Sequence, residues 1–195
     1  LKRNPWYYEY GQYGTEDPAA AMERLLAQAR AGDPQPLRTI SDIIVSGEIS
    51  RFPAVLEQFA SDDALVKQLA QRAGADISFS LDTRDRFDVF DALRALQQLH
   101  ALPELVQLGR HATKSASRRA IEALQELEAA EQLTTLAGET LNAQDVIKII
   151  PWLADRGDTA SLKTLRQNAG LLRRLNQRFF GNLESDDTAI FDLLT

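Results

Sequence analysis

Cysteine is absent from the 195-residue sequence, which excludes disulfides, thiolate metal sites and cysteine nucleophiles. Histidine is scarce, since His100 and His111 are the only two and neither belongs to an HExxH zinc motif. A glycine-rich phosphate loop and a GxSxG nucleophile motif are also missing. Because no recognisable catalytic motif remains, we expect a protein that is not an enzyme and that holds no metal or other cofactor.

Long apolar runs are missing as well, and none approaches the roughly 20 residues that a membrane helix needs. An apolar content of 44% with 26% charged residues is ordinary for a soluble globular protein. The net charge of −6 at pH 7 argues against general nucleic-acid binding. Acidic residues are nevertheless absent from two stretches, 105–121 and 159–183, and the second is the better candidate for an anionic partner.

The main positive feature is a leucine pattern in residues 89–136 that recurs along the chain. Apolar residues spaced by three and four positions, twice per unit with a break between, predict a pair of short helices. We expect the recurring leucines to be buried, in particular Leu96, Leu99, Leu124, Leu127, Leu133 and Leu153. A shift of 28 positions superimposes Leu96 on Leu124, Leu99 on Leu127, Leu105 on Leu133 and Leu108 on Leu136, and a shift of 29 superimposes Ile121 on Ile150 and Leu124 on Leu153.

Breakers divide the whole chain into about eleven short helical segments. Asp17-Pro18 and Asp33-Pro34 each read as a capping residue followed by proline at the first helical position. Ser61 is expected to cap a fourth helix. Residues 77–81 alternate between apolar and polar and are interpreted as a connector between two halves. We predict an N-terminal arm at 1–16, a helical subdomain at 17–76 and a helical-repeat subdomain at 77–195, with one continuous domain at 17–195 as the alternative.

The fold class expected from these features is all-α, an irregular α-solenoid-like stack of short antiparallel helix pairs with an extended aromatic arm. Paired short helices with leucine-rich inner faces and Gly-Asp turns, such as Gly157-Asp158, resemble HEAT-like and other α-solenoid repeat proteins over residues 89–168 and 18–74. The resemblance implies that a partner is bound on a concave surface. It transfers no catalytic residue to this chain.

Four aspartates, Asp82, Asp85, Asp88 and Asp91, recur at every third position. On a helix this spacing rotates successive side chains by about 60°, so the first and the last lie on opposite faces and do not converge on one cation. Carboxylates are favoured near a helix N-terminus by the free N–H groups and the helix dipole. We therefore interpret the four as capping and solvated groups.

The first residues are unusually aromatic, with five large rings between positions 6 and 13. One interpretation is that they fold onto the first helices and seal the end of the stack. The other is an anchor for a partner groove, a sugar polymer or a membrane interface. The candidate partner-binding residues of the arm are Trp6, Tyr7, Tyr8 and Tyr10.

A cluster of basic residues between positions 163 and 178 forms the second candidate binding region. Arginine offers forked donors that suit a carboxylate or a phosphate. The cluster also has a purely structural interpretation, in which basic groups near helix ends bind C-terminal carbonyl groups. Phe179 and Phe180, which would serve as base platforms in a nucleic-acid site, are interpreted as core residues. The candidates are Lys163, Arg166, Arg173, Arg174 and Arg178.

The function that we expect is a non-enzymatic protein–protein interaction or scaffold module with a protein partner. Two alternatives stay open: binding of a polyanion or nucleic acid through 163–178, and an enzyme with no recognisable motif. The first residue is Leu1 rather than Met, from which we expect a missing upstream signal or membrane segment or further protein. The sequence does not distinguish a cytoplasmic from a periplasmic protein.

Overall fold

A computed structural model describes residues 18–47, 53–75, 83–111, 114–139, 143–179 and Leu193. Side chains are described for most of these residues, from Ala20 onwards. Within the described ranges every regular element is a helix, which confirms the all-α prediction. The predicted aromatic arm, the connector at 77–81 and the predicted boundary at 76–77 lie outside the described residues.

Eleven helices occupy the described part of the chain. The helices at Pro18 and Pro34 begin at the residues that the Asp-Pro pairs predicted. The chain divides into two compact units between Leu65 and Val66, so the division falls inside α4. The helices are α1 Pro18–Arg30, α2 Pro34–Val45, α3 Pro53–Ala60, α4 Asp63–Ala73, α5 Thr83–Gln98, α6 Leu102–His111, α7 Lys114–Glu126, α8 Ala130–Glu139, α9 Ala143–Asp155, α10 Thr159–Arg166 and α11 Ala169–Phe179.

In the first unit, α1 packs against α2 and α3. The turn between α1 and α2 places Gly32 at a φ of 91°, a left-handed conformation that glycine adopts without steric cost. Asp33 then caps α2 by accepting a hydrogen bond from the backbone N–H of Gln35 at 3.0 Å. The core of the unit is formed by fully buried side chains of these helices, Met22, Leu25, Leu26, Ile40, Ile44 and Phe59.

The start of α4 differs from the prediction in one respect. Ser61 does not cap the helix, because its hydroxyl donates to the carbonyl oxygen of Gln58 in the preceding helix. Asp62 takes that role and accepts from the backbone N–H groups of Ala64 and Leu65 at 3.1 and 3.2 Å. A serine hydroxyl has a choice of local carbonyl acceptors, whereas a carboxylate only accepts, so the aspartate is the better cap here.

In the second unit, each helix from α5 onwards packs against the next helix and against the one after it, through to α11. The pattern places α5, α7 and α9 in successive contact, and likewise α6, α8 and α10. Pro151 lies inside α9, where it removes one backbone donor. The contacts bury a continuous set of leucine and isoleucine side chains from several helices, including Leu96, Leu105, Ile121, Leu136, Ile149 and Leu165.

The same turn ends α5, α7 and α9. His100, Glu128 and Gly157 hold left-handed backbone conformations, with φ angles of 52°, 55° and 66°. The residue after each of them donates its backbone N–H five positions back, as Ala101 does to Leu96 and Ala129 to Leu124, at 3.0 and 2.9 Å. This is the Schellman closure of a helix C-terminus. The three turns are 28 and 29 positions apart, which are the shifts that align the leucines.

Four of the six leucines predicted to be buried are fully so: Leu96, Leu124, Leu133 and Leu153 have no exposed surface. The prediction is wrong for Leu99 and Leu127, which are only half-buried. Both immediately precede the left-handed residue of a turn, so they lie at the point where the chain leaves the helix. The two residues deviate together because they occupy equivalent positions.

Candidate partner-binding surfaces

The predicted binding residues fall into three groups in the structure. Trp6, Tyr7, Tyr8 and Tyr10 lie outside the described residues. Arg178 belongs to α11, but its side chain is not among those described. The remaining four, Lys163, Arg166, Arg173 and Arg174, lie on α10 and α11, which pack against each other.

Arg174 has a structural role at the end of α8. Its guanidinium donates to the carbonyl oxygens of Gly138 and Glu139, both at 3.1 Å, and more weakly to that of Ala137. These carbonyl groups belong to the last turn of α8, where no further helical N–H is present to bind them. Asn168 assists by donating to the Gly138 carbonyl at 2.9 Å. The guanidinium is therefore a helix cap supplied by another helix.

Lys163, Arg166 and Arg173 are exposed. No side-chain hydrogen bond or ion pair joins any of them to a residue that the structure describes. Arg173 and Arg174 are neighbours in the sequence, yet only Arg174 reaches the end of α8. Among the described side chains of this region, the cationic groups that face solvent are thus those of Lys163, Arg166 and Arg173.

The other acid-free stretch, 105–121, is used within the fold. Arg110 forms an ion pair with Glu139 at 2.5 Å. The Arg119 guanidinium carbon lies 3.4 Å from the centroid of the Phe90 ring, a cation–π contact between α7 and α5. Burial against this ring lowers the pKa of Arg119, and nearby Glu122 opposes the change. Two of the basic groups in this stretch are therefore engaged by neighbouring helices.

A groove on α10 brings Lys163 and Arg166 together with apolar side chains. We call it the α10 groove; its volume is about 610 Å³. Leu193 is 40% exposed and is the one large apolar side chain exposed to this degree in the described part of the chain. The sequence did not indicate Leu193 as a binding residue. Its place in the groove depends on α10, a segment distant from it in the sequence. The lining residues are Thr159, Leu162, Lys163, Arg166, Gln167 and Leu193.

A second groove, of about 600 Å³, lies between α4 and α6, and we call it the α4–α6 groove. Four of its eight lining residues are apolar and four are polar. Both charge signs are present, since Lys67 and Glu104 contribute one each. No signal in the sequence marked these positions. The apolar residues are Ala70, Gly74, Pro103 and Leu108, and the polar ones are Lys67, Gln71, Glu104 and Gln107.

The helices that line the α4–α6 groove meet at Gly74. A Cβ at Gly74 would lie 3.1 Å from Leu108 Cδ2, so the end of α4 lies against α6 at this point. α6 and α8 approach each other closely at Gly109, where a Cβ would lie 2.9 Å from Leu136 Cδ1. The pair of α4 and α6 is not among the described helix pairs with extensive backbone contact, and the groove opens beside the contact at Gly74.

Neither groove contains converging catalytic groups. Asp158, beside the α10 groove, caps α10 by accepting from the backbone N–H of Ser161 at 3.0 Å, and this bond lowers the pKa of its carboxyl. Of the four regularly spaced aspartates, only Asp91 has a described side chain, and it is half-buried. No group of three or more potential metal-ligating side chains occurs among the described residues.

Comparison with known proteins adds no family: no protein family, curated protein or solved structure matches this chain. Within the ranges that the structure describes, none of the helices combines the length and the apolar character needed to cross a membrane.

Proposed function

We propose that this protein is a non-enzymatic interaction module that holds a segment of a partner protein on the surface of a helical-repeat stack. The observation that carries the proposal is the α4–α6 groove. Its apolar residues, such as Ala70 and Pro103, provide surface for a side chain, while Gln71 and Gln107 offer donors and acceptors for a peptide backbone. The volume lies in the range of about 300–1,000 Å³ that is typical of ligand sites.

The stacked, solenoid-like arrangement is part of this proposal. Each helix from α5 to α9 contacts the next two, and the same left-handed turn recurs after 28 and 29 residues. Contacts confined to near neighbours and equivalent turns are typical of helical-repeat proteins. Such proteins present successive helices side by side, which produces elongated surfaces suited to an extended or helical peptide.

A peptide suits the α4–α6 groove better than a polyanion does. Lys67 and Glu104 have opposite charges, so a chain of phosphates would be attracted at one side and repelled at the other. A peptide can match both charges and both amides. The proposed ligand is therefore a short peptide segment that carries an apolar side chain between polar ones.

The test is selection of peptides from an unbiased displayed library with the full chain immobilised. The variant Gln71→Trp fills the groove from an exposed position and should weaken the selected peptides by about tenfold or more, about 1.4 kcal/mol. The matched control is Thr135→Trp, which adds the same ring at an exposed position of α8. Equal affinity for both variants, or a library that yields no binder, would contradict the proposal.

A second candidate function is binding of a polyanion, favoured by one observation: Lys163, Arg166 and Arg173 are exposed in a stretch without acids. Neutralising several phosphates releases counterions, so affinity for nucleic acid would fall steeply with salt concentration. Affinity for a peptide in the α4–α6 groove would change far less. Titration of one labelled oligonucleotide at several salt concentrations separates the two candidates.

A further inference from the structure

We propose that the α10 groove binds a short acidic segment of a protein partner. One apolar side chain of that segment would contact Leu162 and Leu193, with carboxylates beside Lys163 and Arg166. This inference rests on the proposed function, because it assigns to a second groove of the same module the chemistry of its ligand. It uses a surface separate from the α4–α6 groove.

The first argument is charge. Lys163 and Arg166 are spaced by three positions on α10 and line the same groove, so they present two cations on one face of the helix. Arg173 adds a third exposed cation on α11, which packs against α10. Residues 159–183 contain no acid, and no described residue forms an ion pair with any of the three. Carboxylates are the complementary groups on a protein partner.

The second argument is the apolar surface of the same groove. Leu162 is half-buried and Leu193 is 40% exposed, and both line the groove with the two cations. An exposed leucine beside two cations favours a ligand in which acids flank an apolar side chain. The apolar side chain contacts the leucine, and the acids pair with the cations. Thr159 and Gln167 add polar groups at the margin. A volume of about 610 Å³ admits such a side chain together with part of the peptide backbone.

An acidic peptide fits this groove better than nucleic acid does. The lining consists of two leucines, two cations and two neutral polar residues, whereas single-stranded nucleic acid is held by aromatic platforms on which bases stack. The chain carries a net charge of −6, which opposes the approach of a long polyanion more than that of a short peptide. Arg174, the fourth cation of the region, is already engaged by the carbonyl groups of α8.

The experiment is a fluorescence polarisation titration of the full chain at low ionic strength, where exposed charges are screened least. The probe is a short labelled peptide in which aspartates flank a single leucine. Matched probes replace the leucine by serine or the aspartates by asparagine, and a labelled single-stranded oligonucleotide of equal length is the third comparison. The tested variant is Lys163→Glu with Arg166→Glu. The control variant, Arg94→Glu with Arg118→Glu, changes the net charge equally at exposed positions of α5 and α7.

We expect saturable binding of the acidic leucine peptide, weakened about tenfold or more by either peptide substitution and by Lys163→Glu with Arg166→Glu. The control variant should change the affinity by less than about twofold. Circular dichroism melting of each variant verifies that it is folded.

Three results would overturn the inference. They are no binding of the acidic probe, an equal loss with both double variants, and tighter binding of the oligonucleotide than of the peptide. The last result would instead support the polyanion alternative. Library peptides that depend on Gln71 while the acidic probe fails would reject this inference alone and leave the proposed function intact. If the library yields no binder but the acidic probe binds saturably, the α4–α6 groove is rejected as a peptide site and the α10 groove is retained as one.

Discussion

His100 and Glu128 lie 28 positions apart and hold the same left-handed backbone conformation, with φ angles of 52° and 55°. They are the two residues other than glycine with a positive φ in the described part of the chain, and Gly157 occupies the third equivalent turn. A side chain with a Cβ in this conformation costs about 1–2 kcal/mol. The chain thus retains strain at two equivalent turns and relieves it with glycine at the third.

Glu128→Gly should stabilise the protein. The relief of left-handed strain, about 1–2 kcal/mol, exceeds the entropy that glycine adds to the unfolded chain, about 0.4–1 kcal/mol. Removal of a negative charge from a helix C-terminus acts in the same direction. We expect a gain of about 0.5–1 kcal/mol in the free energy of unfolding, measured by urea titration.

The matched control for this prediction is Arg118→Gly, because Arg118 is exposed and lies within α7. This substitution should lower the free energy of unfolding by about 1 kcal/mol. Gly157→Ala introduces a Cβ at the third turn and should also destabilise. If Glu128→Gly were as destabilising as Arg118→Gly, relief of backbone strain at the turn would not determine the stability of the variant.

Leu124→Ala should lower the free energy of unfolding by about 2–5 kcal/mol, the usual range for a buried leucine truncated to leave a cavity. Leu124 has no exposed surface and lies where Leu96 and Leu153 are equally buried. Leu127→Ala, three positions later and half-buried, should cost clearly less. Denaturant titration of both variants measures the difference, and equal losses would contradict the deeper burial of Leu124.

Arg174→Ala should destabilise the protein by about 1–2 kcal/mol, because hydrogen bonds to charged groups contribute about 1.5–3 kcal/mol and this guanidinium is partly solvated. The carbonyl groups of Gly138 and Glu139 would lose their cap. Arg173→Ala removes the same side chain from the adjacent exposed position and should change stability by less than about 0.5 kcal/mol. Equal effects of the two substitutions in thermal unfolding would exclude a specific cap.

Protonation of the Asp62 carboxyl should lower the free energy of unfolding as the pH falls. A hydrogen bond from Arg30 at 2.6 Å, followed by those from the α4 backbone, lowers the pKa of this carboxyl below its ordinary value of 3.8. A lowered folded-state pKa means that the contribution is fully present above 3.8 and is lost as the pH falls through the folded value. The Asp158 carboxyl, lowered by its bond from Ser161, contributes in the same window.

The measurement is urea unfolding of the protein and of Asp62→Asn between neutral and strongly acidic pH. Asparagine retains a capping oxygen and does not titrate, so the variant should be less stable at neutral pH and should converge with the parent protein once the pH lies below the lowered folded-state pKa of Asp62. A constant difference across the whole range would show that Asp62 acts without its charge.

The sequence by itself determined the helical class and the starts of the first two helices. Spacings of three and four between leucines require a helix if they are to share one face, and Asp-Pro or Gly-Asp pairs interrupt it. That is why α1 and α2 begin at the predicted Pro18 and Pro34. The Gly157-Asp158 turn was likewise predicted, and Gly157 ends α9 there in a left-handed conformation. The equivalent turns at His100 and Glu128 were not predicted and became visible only in the structure.

Tertiary structure alone decided which side chains meet. Arg173 and Arg174 are identical neighbours in the sequence, yet one caps α8 and the other faces solvent, because α8 and α11 are brought together only by packing. The two grooves depend in the same way on contacts between segments far apart in the chain, such as α10 with Leu193. Periodicity reports the face of a single helix. It carries no information about how closely a distant helix approaches that face, and that distance decides whether the face becomes core, cap or groove.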